Sequence, residues 1–239
     1  TTRLVGSEMC IRDRYNTMKS RLYNWKKRGL LSHIRRGVYL PANIQNKYQI
    51  ACNSVDNGCL AYHSALEFYM LQTQEFNWLY VHSSTPFRSF EYLNQRYVYK
   101  PLQFIYKPLV TKKDTGYPIT VTSISQTIID CLNNIGLAGG IEELLFALIE
   151  VDPDSVIEED MLECLKLYQK KSLYQRTGFI LSQLQEQLNL SDMFFDVCKK
   201  KMGNTTSYLT NPSRCDTYFK EWNVCAPKDV MKEIEKGVY

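Results

Sequence analysis

Cationic and hydrogen-bonding side chains near the start of the chain could bind a polyanion. Residues 15–55 contain eight Lys and Arg residues and no Asp or Glu, whereas residues 56–239 contain 18 basic and 23 acidic residues. The whole chain carries a net charge of only +4, so the excess positive charge is confined to one segment. A basic segment on an acidic body predicts that a nucleic acid or another polyanion binds that segment alone.

The spacing of apolar residues predicts a helix that presents these polar side chains to solvent. Met18, Leu22 and Trp25 recur at i, i+4 and i+7, which is typical of one face of an α-helix. Gly29 follows three basic residues and predicts the end of the helix. The rest of the helix surface carries side-chain types that reach base edges and phosphates in the major groove: Thr17, Lys19, Ser20, Tyr23, Asn24 and Lys27.

A short basic hairpin is predicted directly after this helix. Two apolar runs, Leu30–Ile34 and Val38–Leu40, flank the sequence Arg35-Arg36-Gly37. A helix followed by a basic hairpin is the second half of a winged helix-turn-helix, in which Arg35 and Arg36 could contact flanking phosphates or the minor groove. A solvated, positively charged surface helix is the alternative, but the lack of acidic residues and the hairpin favour DNA binding.

The residue patterns of common enzymes are missing from the sequence. His33, His63 and His82 are far apart, and no cysteines form a C-x-x-C pair, so a zinc site has little support. Asp152-Pro-Asp154 could bind Mg²⁺, but a solvated loop that starts a helix is favoured. No acidic residue lies two positions before a lysine, as in restriction-type nucleases, which leaves a nuclease the least favoured hypothesis. We therefore expect no catalytic residue, no metal and no cofactor.

Composition indicates a globular protein of one large or two modest domains. Hydrophobic residues make up 44% and aromatic residues 13% of 239 residues, which excludes intrinsic disorder. The apolar runs, such as Leu144–Ile149, are much shorter than the roughly 20 residues of a membrane-spanning helix. Eight cysteines without a recognisable secretory signal indicate free thiols and a cytoplasmic location.

Beyond residue 44 the pattern predicts a mixed α+β body with a small sheet and several covering helices. The predicted strands are Trp78–His82, Tyr97–Tyr99, Gln103–Tyr106, Ile119–Val121, Ser207–Thr210 and Trp222–Cys225. Three of the predicted helices have stated bounds: Gln45–Val55, Tyr62–Leu71 and Leu173–Leu190. Two more begin at a cap formed by Thr122 or Ser123 and at Gly139-Gly140. A further helix contains Met161, Leu165 and Tyr168, and a last one starts at Lys228. For Tyr174–Thr177 we favour interhelical packing over a partner-binding surface.

The first residues are unlike the rest. Val5–Arg14, VGSEMCIRDR, resembles a translated sequencing adapter of the kind found at the ends of reading frames from assembled metagenomes. We therefore expect residues 1–14 to be a non-native segment and the native sequence to enter near Tyr15, inside the winged helix-turn-helix.

From Tyr15 onward the chain resembles the AbiEi-type antitoxins of bacterial type IV toxin–antitoxin systems, which are predicted transcriptional regulators. The resemblance rests on an ordered set of motifs: RRGVYLP (Arg35–Pro41), AYHSALEFY (Ala61–Tyr69), ITVTSISQTIIDCL (Ile119–Leu132), GGIEELLFAL (Gly139–Leu148), LYQRTGF (Leu173–Phe179) and WNVCAP (Trp222–Pro227). The family's first helices are not recognisable in this sequence.

This resemblance implies two domains and two activities. The first domain is a partial winged helix-turn-helix at residues 15–43, which is expected to bind double-stranded DNA at inverted repeats in the promoter and to repress its own operon. The other is an antitoxin domain at residues 44–239. The second domain is expected to oppose a nucleotidyltransferase-like toxin without a stable complex. The alternative is a protein-interaction antitoxin module that acts without DNA binding.

Overall fold

A computed structural model of the protein describes residues 17–111 and 116–228, together with Val230 and Lys232. The expected non-native segment 1–14 and most of the helix predicted from Lys228 lie outside these residues. The described strands form three small sheets. They are β1 (Leu31–Arg35), β2 (Val38–Pro41), β3 (Cys59–Leu60), β4 (Trp78–His82), β5 (Phe90–Tyr92), β6 (Gln95–Tyr99), β7 (Leu109–Thr111), β8 (Ile119–Val121), β9 (Ser207–Tyr208), β10 (Thr217–Phe219) and β11 (Val224–Ala226).

Eight α-helices accompany these strands within the described residues, so the predicted α+β class is confirmed. They are α1 (17–27), α2 (Lys47–Asn53), α3 (His63–Phe68), α4 (Ile124–Asn133), α5 (Ile141–Glu150), α6 (Glu158–Tyr168), α7 (Lys171–Leu181) and α8 (Asp192–Lys201). The N-cap predicted at Thr122 or Ser123 is Ser123, whose side chain accepts a hydrogen bond from the Gln126 N–H at the start of α4. Gly140 precedes α5 with a φ of 115°, a conformation that suits glycine.

The largest sheet has six strands in the order β5-β6-β4-β3-β8-β7. β4 pairs parallel with β6 and antiparallel with β3, and β3 continues parallel to β8. Leu79 and Val81 of β4, with Tyr97 of β6, lie fully buried in the core that this sheet shares with α2. This strand was predicted from its aromatic and β-branched residues, and in the structure half-buried and buried residues alternate along it.

The hairpin β1–β2 belongs to this same core. Its Ile34 and Leu40 are buried in one cluster with Ile44, Ile50 and the sheet residues. The boundary predicted between residues 43 and 44 therefore crosses a shared hydrophobic cluster, because both flanking segments bury apolar side chains against the same sheet. The hairpin is packed on the body.

A second core lies among α4–α8. Leu132 of α4, Leu144 of α5, Leu165 of α6 and Phe194 of α8 are fully buried in it. The third sheet, β10-β11-β9, adjoins this core through Trp222, which is 2% exposed and belongs to the same cluster.

Two predicted elements differ from the structure. Residues 103–106 form no strand, because the Gln126 side chain of α4 forms hydrogen bonds with their backbone. The Gln126 amide nitrogen donates to the Phe104 carbonyl at 3.0 Å, and its amide oxygen accepts from the Tyr106 N–H at 2.8 Å. The helix predicted over Leu173–Leu190 ends at Leu181. A 3₁₀ turn follows, and Ser191 caps the separate helix α8.

Replacement of Gly178 by alanine is expected to destabilise the protein by about 1–3 kcal/mol, because the core at this point has no room for a methyl group. An added Cβ would lie 2.0 Å from the ring of Trp222. Gly136→Ala is the matched control, since its Cβ would meet its nearest neighbour, the Asn134 side-chain oxygen, at 3.8 Å. Urea unfolding would measure both. Equal losses for the two variants would contradict the close packing of α7 on Trp222.

Candidate nucleic-acid interface

Helix α1 ends in a backbone motif at Gly29, the residue at which the sequence predicted its end. Gly29 has a φ of 70°, its N–H donates to the Lys26 carbonyl, and the Leu30 N–H donates to the Trp25 carbonyl. These two bonds form a Schellman motif, which requires the left-handed conformation that glycine adopts most easily. The motif turns the chain from α1 directly into β1, so the helix and the hairpin are joined without a flexible linker.

The side chains predicted to read DNA on α1 are all exposed: Thr17, Lys19, Ser20, Tyr23, Asn24 and Lys27. Tyr23 is 67% exposed. The ion pairs between described residues include neither Lys26 nor Lys27. The charges of Lys26 and Lys27 are thus presented to solvent, as an electrostatic footprint for phosphates requires.

The apolar face of α1 is more open than its periodicity indicates. Met18 is 64% and Trp25 43% exposed, and only Leu22 is half-buried. A helix with an i, i+4, i+7 apolar face normally buries that face against neighbouring elements. The described residues supply no such cover for Met18 and Trp25.

The hairpin places its two arginines differently. β1 and β2 pair antiparallel, with His33 opposite Tyr39 and Arg35 opposite Val38. Arg36 and Gly37 form the turn, where Gly37 has a φ of 79° and Arg36 is exposed. Arg36 is therefore at the tip, as predicted.

Arg35 points to the body. Its Nε donates to the Ser54 carbonyl, at the C-terminal end of α2, at 3.0 Å. Its guanidinium carbon lies 5.7 Å from the ring centroids of both Phe87 and Phe90. A charge-assisted hydrogen bond and two cation–π contacts hold the wing against the sheet. No observation tests the phosphate contact predicted for Arg35 from the sequence, and because of these contacts with the body our proposal assigns Arg35 to positioning the wing instead.

Lys47 is another basic residue of the segment that faces the body. Its ammonium group forms an ion pair with Glu67, whose side chain is nearly fully buried. Because its charge is neutralised by Glu67, Lys47 does not add to the positive charge that the segment presents to a ligand.

The buried ionisable groups of the body form structural contacts. Glu143 accepts hydrogen bonds from the Thr73 and Gln74 N–H groups at 2.8 and 3.2 Å, and its Oε1 lies 3.3 Å from Nε2 of His63. Burial would raise the pKa of Glu143, but hydrogen bonds from the Thr73 hydroxyl and from the Gln74 and Thr73 N–H groups outweigh it and hold that pKa below its usual value. Burial lowers the pKa of His63, so a neutral imidazole faces an ionised carboxylate.

Other polar residues singled out in the sequence also satisfy the backbone. Gln175 is fully buried, and its amide donates to the carbonyls of Thr205 and Asn223 at 2.8 and 3.1 Å. Arg176 donates to the Asn133 carbonyl at 3.3 Å. This arrangement is the interhelical packing favoured for Tyr174–Thr177. Asp152 accepts from the Asp154 N–H and caps a 3₁₀ turn, as expected of a helix-starting loop.

One open groove lies between α6, α7 and α8 and has a volume of about 580 Å³. Apolar side chains and charged side chains both line it: Glu159, Leu162, Glu163, Lys166, Gln169, Lys171, Tyr174, Val197 and Lys201. The described residues contain no group of three or more His, Cys, Asp or Glu side chains placed to hold a metal ion. Nor does any helix in the described part of the chain have the length and apolarity to cross a membrane.

Comparisons with known proteins establish a similarity of fold. No protein-family model and no curated protein matches the chain. Among solved structures, the chain is similar to that described as the crystal structure of RV2827C protein from Mycobacterium tuberculosis, with a TM-score of 0.57 and 11% identity. The match covers 92% of this chain and 82% of the other. At this identity the likeness concerns the fold alone.

Asp130 should make stability fall as pH rises. It is fully buried in α4, where Tyr168 donates to its Oδ1 at 2.5 Å, and burial raises its pKa from an ordinary 3.8 to about 7. The folded state therefore holds a proton between about pH 4 and 7 that the unfolded state has lost, so unfolding free energy falls by up to about 1.4 kcal/mol per pH unit in that window. Asp130→Asn should remove this dependence.

Denaturant unfolding at pH 5 and pH 8 measures the effect. The unfolding free energy of Asp130→Asn minus that of the wild type should be larger at pH 8 than at pH 5. Asp154→Asn, at an exposed carboxylate, is the control and should show no such rise. Parallel curves for Asp130→Asn and wild type would show that the carboxyl titrates normally.

Proposed function

We propose that this chain is a DNA-binding transcriptional repressor with an antitoxin role, acting in the cytoplasm. The supporting observation is an exposed helix and wing that carry Lys26, Lys27 and Arg36, none of which is in an ion pair with another described residue, in a segment (residues 15–55) without a carboxylate. A duplex attracts such a surface through its phosphates, whatever its sequence.

In this proposal α1 enters the major groove of an inverted repeat in the promoter. Asn24 offers the amide that can pair with adenine, and Lys27 the ammonium that can contact guanine or phosphate. Thr17, Lys19, Ser20 and Tyr23 complete the contact surface. Arg36 at the tip of the wing reaches a flanking phosphate, while Arg35 holds the wing on the body at the angle that this contact needs. Occupied DNA excludes the polymerase, and the operon is repressed.

The antitoxin part of the proposal rests on the resemblance of the body motifs to AbiEi-type antitoxins. The partner would be a nucleotidyltransferase-like toxin, opposed without a stable complex. The alternative function is a protein-interaction module that acts without DNA, and the groove between α6, α7 and α8 favours it, because apolar Leu162, Tyr174 and Val197 line an accessible surface there.

Binding to the DNA upstream of its own reading frame should weaken steeply with salt. With about four phosphates neutralised, the slope of log K against log salt is expected near −4. Arg36→Ala should weaken binding to all sequences and reduce that slope by about 1. Arg35→Ala should leave the slope unchanged and lower the unfolding free energy by about 1 kcal/mol through its lost hydrogen bond. Asn24→Ala should relax sequence preference.

Electrophoretic shift titrations at several salt concentrations measure these slopes. Lys220→Ala is the control for Arg36→Ala, because it also removes one positive charge, from an exposed lysine between β10 and β11. This variant should bind DNA as the wild-type protein does. A wild-type slope near zero would exclude the electrostatic footprint. An unchanged slope for Arg36→Ala would remove the wing from the interface.

A double variant, Lys27→Ala with Arg36→Ala, separates repression from antitoxin activity in the full chain. Both side chains are exposed, so folding is expected to persist. A promoter reporter should be derepressed, while toxicity from a toxin expressed on an independent promoter should still be relieved. Retained repression would contradict the assignment of DNA binding to Lys27 and Arg36, and a wild-type chain that relieves toxicity without repressing the promoter would favour the alternative without DNA binding. Lost relief by a folded variant would contradict an antitoxin activity confined to the body.

A further inference from the structure

Two cysteines differ from the others in their access to solvent. Of the cysteines in the described residues, five are buried: Cys52, Cys59, Cys131, Cys164 and Cys198. Cys215 and Cys225 are partly exposed. A thiol must reach solvent to meet a dissolved oxidant, so among the described residues these two are the candidates for redox chemistry.

The same two cysteines lie against each other. Cys215 precedes β10, and Cys225 lies in β11, opposite Tyr218 in the antiparallel register. Sγ of Cys225 is 3.5 Å from the carbonyl oxygen of Cys215. Burial and contact with the Cys215 thiol raise the pKa of Cys225. The Cys225 sulfur thus contacts the backbone of Cys215 and interacts with its thiol, so the two side chains lie near each other, as a disulfide requires.

The surroundings of Cys215 differ from those of Cys225. The Thr210 hydroxyl lies 3.6 Å from the Cys215 sulfur. Arg176, whose guanidinium is held by the Asn133 carbonyl and the Ser207 hydroxyl, interacts electrostatically with Cys215. Cys215 thus has a hydroxyl and a guanidinium in its surroundings, whereas Cys225 contacts the carbonyl of Cys215.

We propose that Cys215 and Cys225 form a reversible intramolecular disulfide under oxidation by a hydroperoxide. The Cys215 sulfur attacks one peroxide oxygen, the O–O bond breaks, and the leaving oxygen takes the thiol proton, so that Cys215 becomes a sulfenic acid. The Cys225 sulfur then attacks the Cys215 sulfur, the S–O bond breaks, and hydroxide leaves as water with the Cys225 proton. The two thiols lose two electrons and two protons, and hydrogen peroxide is reduced to two waters.

The disulfide would fix the β10–β11 hairpin, whose loop carries Trp222. This ring fills the space beside Gly178 of α7. Closing the loop lowers the entropy of the unfolded chain. Oxidation is therefore expected to stabilise the attachment of the third sheet to α7. This inference is independent of DNA binding.

The test exposes the full-length protein to hydrogen peroxide, quenches free thiols with iodoacetamide, and maps the peptides by mass spectrometry without reduction. The expected product is one Cys215–Cys225 cross-linked peptide about 2 Da lighter than its two thiol parents, lost on treatment with dithiothreitol. The oxidised protein should melt about 5 °C higher than the reduced protein. Cys225→Ser should show neither the cross-link nor the shift in melting temperature.

Cys10→Ser is the matched control, because it removes a cysteine outside the described residues and should keep the cross-link. Separate overoxidation of the two cysteines, a disulfide between two chains, or no reaction at peroxide concentrations that oxidise a free thiol would each overturn the proposal. If either serine variant unfolds, the peptide map of the wild-type protein alone still decides, since it identifies the bonded pair directly.

Discussion

The attachment of the hairpin to the six-stranded sheet is the constraint on which the arrangement of the cationic surface depends. Ile34 and Leu40 are buried in the core of that sheet, and Arg35 binds the Ser54 carbonyl at the end of α2. Because the Schellman motif at Gly29 joins α1 to β1 directly, this anchoring reaches the helix as well. The exposed basic residues are thereby held in a defined geometry relative to the body, which is what a surface for a rigid duplex needs.

Four of the six motifs that resemble the antitoxin family meet in two pairs, in contacts that pack the body. His63 of one motif faces Glu143 of another, and Gly178 gives room to Trp222. Buried polar groups are costly unless they are hydrogen-bonded, so a body with many of them requires partners at fixed positions. The His63–Glu143 and Gly178–Trp222 contacts therefore give these motif residues a role in packing the body.

Charge is distributed so that only part of the basic segment is available to a ligand. Lys47 is paired with Glu67 and Arg35 is held by a carbonyl and two rings, whereas Lys27 and Arg36 face solvent. The number of positive charges in a sequence segment is therefore an upper limit on the charge that it presents. In this protein the difference separates residues that can hold the wing from residues that can contact phosphate.

Local patterns in the sequence determined the elements whose signals are local. The strand at Trp78–His82, predicted from its aromatic and β-branched residues, the cap at Ser123 and the turns at Gly29 and Gly37 each depend on a few neighbouring residues, and each was predicted from the sequence. Tertiary structure alone decided the rest. The segment 103–106 is coil because Gln126 binds its backbone, Arg35 turns to Ser54, and Cys215 meets Cys225. These contacts join residues through folding, and no spacing along the chain encodes which side chain reaches a given carbonyl.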